Sequence, residues 1–151
     1  MLKLVAGDTG SGKTLVLSEL ILESAKKNKV LIITDNFKPT FNMLGKVALD
    51  GKAYENITIV YLDTISKIIK HLVMFGKDYD EIFIDINDLL SESSSLYKLD
   101  GFAIGANLKI TVTWNTSFTG TSGKVIIYEY NDGDLKSLKA YSSGEIKAKA
   151  V

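Results

Sequence analysis

Gly7-Asp8-Thr9-Gly10-Ser11-Gly12-Lys13-Thr14 is the stretch whose residue types and spacing specify a chemistry most clearly. It fits G-x-x-x-x-G-K-[ST] at every position, the Walker A pattern of a phosphate-binding loop. Phosphate oxygens need several donors at close range. The glycines let the backbone curl so that successive N–H groups point inward. A helix opening near Gly12 adds its unbonded N–H groups and the positive end of its dipole. Lys13 is expected to reach the outer phosphates as a point charge, and the Thr14 hydroxyl to ligate Mg²⁺.

Such a loop needs a strand running into it and a helix running out. Leu2 to Ala6 is a short apolar strand, and Lys13 to about Lys27 is a helix rich in Leu and Glu without internal Gly or Pro. Lys29 to Thr34 is a continuous apolar, β-branched run, the pattern of a strand buried on both faces of a parallel sheet. Asp35-Asn36 sits at its carboxyl end. Pro39 predicts a helix over 39–49, closed by the Asp50-Gly51 turn. Ile57 to Tyr61 is a third strand. Asp63-Thr64 caps the clearest amphipathic helix, with Ile65, Ile68, Ile69, Leu72 and Val73 on one face and His71 on the solvated opposite face.

Glu81 to Asp85 is a fourth buried strand. Residues 89–97 contain Ser-Glu-Ser-Ser-Ser and read as a loop or weak helix, and residues 96–106 as a short helix. Lys109 to Trp114 is a fifth strand ending at Asn115, followed by a polar loop over Thr116–Gly123. Lys124 to Tyr130 and Leu135 to Tyr141 flank Asn131-Asp132-Gly133-Asp134, which predicts a hairpin. Residues 142–151 read as a loose tail after a single domain over 1–141. The alternation of strand and helix gives an α/β, three-layer fold, with ligand expected at the carboxyl ends of the parallel strands.

Composition narrows the chemistry. Apolar residues make up 46% of the chain, enough for a packed core. Eighteen basic residues balance eighteen acidic ones, which disfavours general binding to a nucleic-acid backbone. Cysteine is absent, so disulfide and thiolate-metal sites are excluded. Neither a signal-peptide pattern nor a membrane-spanning apolar run is present, so a cytoplasmic protein is expected. All eighteen basic residues are Lys. The chain itself therefore supplies no arginine finger, nor the arginines with which nucleotide kinases commonly close over phosphates.

Asp85 ends an Ile-Phe-Ile run, the Walker B pattern that holds a carboxylate near Mg²⁺. Hydrolysis needs a further group to orient or deprotonate water. Many P-loop ATPases place Glu directly after the Walker B Asp; here that residue is Ile86. Asp35, Asn115 and, more weakly, Asp88 are the remaining candidates.

Together these parts resemble the RecA-type ATPase core of recombinases and hexameric helicases. The resemblance rests on the GDTGSGKT loop, Val30–Asp35, Ile57–Leu62 with its amphipathic helix, IFID, Leu108–Asn115 and the terminal hairpin. It implies a mainly parallel sheet of order 3-2-4-5-1-6-7, bringing Asp35, Asp85 and Asn115 to one cleft, and ATP as the nucleotide. Asp35 or Asn36 stands where that family has Glu, and Asn115 where it has Gln, which implies slow or absent hydrolysis. The loop over Thr116–Gly123 is short and lacks Lys, so nucleic-acid strand exchange is not expected. The family completes its site with cations from a neighbouring subunit; Lys136 and Lys139 lie in that region, where they read first as solvated hairpin lysines and would take that place only in an oligomer. The expected function is slow hydrolysis of Mg²⁺·ATP; the alternative is an accessory protein that binds nucleotide and signals to a protein partner. A kinase is disfavoured by the missing arginines and the lack of an obvious lid.

Overall fold

The computed structural model describes residues 1–8, 11–35, 55–86, 93–115, 124–142 and 145. The expected helix over 39–49, Asn36, Asp88, the loop over Thr116–Gly123 and most of the tail lie outside them.

Seven described strands form one sheet: β1 (Leu2–Gly7), β2 (Val30–Thr34), β3 (Ile57–Tyr61), β4 (Glu81–Asp85), β5 (Lys109–Asn115), β6 (Lys124–Asn131) and β7 (Asp134–Ser142). Their spatial order is β3-β2-β4-β5-β1-β6-β7, the order expected. The first five strands pair in parallel, while β6 and β7 run antiparallel at one side. Among the described residues three α-helices cover this sheet: α1 (Lys13–Ala25), α2 (Ile65–Phe75) and α3 (Ser93–Ala106).

Side-chain alternation sorts the core into two layers. Leu4, Leu31, Ile33, Ile82, Ile84, Ile110 and Val112 pack on the face covered by Ile68 and Leu72 of α2 and Leu96, Leu99 and Ala103 of α3. Val5, Val30, Ile32, Phe83 and Ile127 pack on the opposite face beneath Leu17 and Ile21 of α1. All five residues of β2 are buried, as a strand sandwiched between helices requires. Burying each such Ile or Leu is worth about 1.5–3 kcal/mol, so the two layers fix the register of the central strands.

The elements differ from expectation in three places. α3 begins at Ser93, inside the stretch that reads as loop or weak helix, because Leu96, Leu99 and Ala103 recur at helical spacing and bury against the sheet. Val73 is 63% exposed, so the apolar stripe of α2 is narrower than its sequence pattern. His71 is half-buried rather than fully solvated, its ring 4.9 Å from that of Phe75 one turn on. The hairpin turn is tighter than the expected four residues: Asp132 and Gly133 alone connect β6 to β7, both with positive φ, the signature of a type I′ turn.

Candidate functional site

The parallel strands end together. Gly7 of β1 pairs with Asn115 of β5, and Thr34 of β2 with Asp85 of β4. Odd-numbered positions of β4 and β5 face α1, because their even neighbours Ile84 and Val112 belong to the other layer. Asp85, Thr113 and Asn115 are thereby aimed at the side from which α1 departs.

The loop between β1 and α1 enters that corner through Gly12, whose φ of 100° only glycine adopts readily. Ser11 N–H donates to the Asp8 carbonyl at 3.1 Å, tightening the turn. The N-cap residue Gly12 has no side chain to cap α1, so among the described residues no capping side chain occupies its first-turn amides. Gly7 is required by close packing: a Cβ there would stand 2.5 Å from Ser11 Oγ and 3.1 Å from the Lys124 carbonyl. Thr9 and Gly10 lie outside the described residues.

Lys13 folds back over the loop. Its Nζ donates to the carbonyls of Gly7 and Asp8 at 3.0 and 2.8 Å, and to Asn115 Oδ1 at 2.5 Å. Burial lowers its pKa from the ordinary 10.5, against the opposing charges of Asp85 and Asp8. At the next residue, Thr14 Oγ1 donates to Asp85 Oδ2 at 3.0 Å. Asp85 is 9% exposed, and burial raises its pKa. Hydrogen bonds from Thr14 and Thr113 oppose that rise, Asp35 adds to it by like charge, and Lys13 opposes it.

The structure thus brings Lys13, Thr14, Asp85 and Asn115 into direct contact, with Asp35 near enough for its charge to act on Asp85. Sequence reasoning passed over Thr113, whose hydroxyl donates to Asp85 Oδ1 at 3.1 Å. Its only signal is position: two residues before Asn115 on the strand beside Asp85.

These donors fit a nucleotide phosphate and a hard divalent cation. Ser11 Oγ is buried and without a hydrogen-bond partner among the described residues, inside a loop whose helix amides are uncapped. A hydroxyl and a buried carboxylate 3.0 Å apart form an all-oxygen pair of the kind Mg²⁺ takes. Among the described residues no group of three or more His, Cys, Asp or Glu could hold a metal alone.

A family model described as Zeta toxin matches residues 1–78, from β1 through the loop and α1 to the end of α2. The chain belongs to the Zeta toxin family. This is a P-loop nucleotide-binding family of kinase-like type. The match includes Lys13, Thr14 and Asp35 and stops short of Asp85 and Asn115. No curated protein matches the chain. Among the described residues no helix is long and apolar enough to cross a membrane.

Proposed function

We propose that this Zeta toxin family member is an ATPase that binds Mg²⁺·ATP where β1, β4 and β5 end. The observation that carries the reading is the 3.0 Å bond from Thr14 to the buried Asp85, beside a Lys13 ammonium held over the loop. Lys13 and the amides at the start of α1 would hold phosphate, and Thr14 and Asp85 would hold Mg²⁺. The cation would supply charge neutralisation on the phosphates. Asp35 and Asn115 would orient a water, Asp35 from the end of β2 and Asn115 from the end of β5. Asp35 is one methylene shorter than the Glu of RecA-type ATPases, which argues for slow turnover. The RecA-type reading, and with it ATP as the nucleotide, draws support from the strand order and the terminal hairpin.

A second reading is favoured by the kinase-like family: transfer of the phosphoryl group to an acceptor instead of water. The complete lack of Arg weighs against it. A third, a nucleotide-gated binding protein without turnover, keeps the same site.

Phosphate release from Mg²⁺·ATP, measured over a range of protein concentrations beside Lys13→Ala, tests the proposal. Turnover lost in the variant is the expected result. Activity per chain that rises with concentration would point to a site shared between copies. Tight binding with no phosphate release would replace hydrolysis by nucleotide gating. Label carried from the γ-phosphate to an added acceptor would replace it by kinase chemistry.

A further inference from the structure

We propose that Thr113 is a positioning residue for the cation side of the nucleotide site: its hydroxyl holds the Asp85 carboxylate so that Oδ2 faces Thr14. The inference rests on the Mg²⁺·nucleotide reading above and adds to it a residue that lies outside the loop and both strand-end motifs.

The argument begins with the sheet. β4 and β5 pair in parallel with Ile84 opposite Val112. The next step in that register sets Thr113 beside Asp85, and both side chains point to the α1 face. A β-branched residue in a strand has a stiff χ1, so the place of the Thr113 hydroxyl is set by the backbone. The carboxylate is different. Its χ2 is broad and roughly two-fold, so burial alone does not decide how its oxygens are turned.

Two hydroxyls divide the carboxylate between them. Thr14 takes Oδ2 at 3.0 Å and Thr113 takes Oδ1 at 3.1 Å. Thr113 therefore grips the oxygen that Thr14 does not face. It can fix the group without competing for the oxygen turned to the loop. The hydroxyl is otherwise hard to account for. Thr113 is 4% exposed, between the apolar Val112 and Trp114 on a strand where Val would pack as well. Burying a hydroxyl is unfavourable unless it is bonded, and the bond it makes is to Asp85.

The test separates orientation of Asp85 from general loss of structure. ATP affinity is measured calorimetrically in Mg²⁺ and again in EDTA, for wild type, Thr113→Val and Thr113→Ser, with a melting curve for each. Thr113→Val is expected to weaken ATP binding in Mg²⁺ about tenfold, the effect of losing one hydrogen bond to a charged group. Its affinity in EDTA should equal that of wild type, and Thr113→Ser should restore the Mg²⁺-dependent part. Should Thr113→Val not fold, Thr113→Ala must give the same split. Equal losses in Mg²⁺ and EDTA, an unchanged Mg²⁺ response, or no rescue by Ser would each overturn the role of Thr113. A wild type whose affinity does not respond to Mg²⁺ would overturn the underlying site reading as well.

Discussion

Asp85 sits in a place that resists charge. Burial lifts its pKa above the ordinary 3.8, and the hydrogen bonds from Thr14 and Thr113 recover only part of the difference. The folded protein therefore binds this proton more tightly than the unfolded chain does. Stability of the ligand-free protein should fall as pH climbs from 3.8 through the raised value. Asp85→Asn removes that slope. Its melting temperature at neutral pH should equal or exceed that of wild type, while the gain in ATP affinity from Mg²⁺ disappears. A variant that melts lower and keeps its Mg²⁺ response would make Asp85 a structural hydrogen-bond acceptor and nothing more. At this scale the sequence was legible where chemistry dictates spacing, as in Lys13 and Thr14, or where a polar residue ends an apolar run, as in Asp85 and Asn115. Thr113 was not legible, because a threonine among β-branched residues reads simply as strand.

The elements deliver these residues through ordinary packing and capping. Thr64 opens α2, its side chain accepting from Lys67 N–H at 3.2 Å. Thr64→Ala should lower stability by about 1 kcal/mol in chemical denaturation. Ile68, one turn further and fully buried against β-strand side chains, should lose about 2–5 kcal/mol on truncation to Ala. An Ile68→Ala loss no larger than that of Thr64→Ala would mean that α2 is not anchored to the sheet as described. Periodicity made α2 readable and misplaced only its edge at Val73. α3 was half read, because its serine-rich start carries loop-like composition while Leu96, Leu99 and Ala103 carry the helical pattern. The hairpin was read from Asn131-Asp132-Gly133-Asp134, and its turn is the inner pair Asp132-Gly133. Its left-handed Gly133 also lies against Tyr97, whose hydroxyl would be 2.8 Å from an added Cβ.

At the scale of the whole molecule, one sheet gathers four separated segments into a single corner. That gathering was legible through the resemblance to the RecA-type core, whose strand order sets β2 and β5 beside β4; the alternation of strands and helices alone gave only a ligand site at the carboxyl ends of the parallel strands. Completion of the site by a second copy was not legible in the same way. Lys139 lies 4.7 Å over the Tyr141 ring of its own strand, a local use that competes with a role across a subunit boundary. Lys136 is exposed on the same edge strand. Whether the β1–α1 loop holds a Mg²⁺·nucleotide is decided by titrating ATP into wild type and Lys13→Ala with Mg²⁺ present. Trp114, the sole tryptophan, adjoins Asn115 and provides an intrinsic fluorescence signal beside the calorimetric one. Wild type is expected to bind saturably, and the variant to lose about ten- to hundredfold in affinity while still folding. Equal affinity in both proteins would contradict binding by this loop.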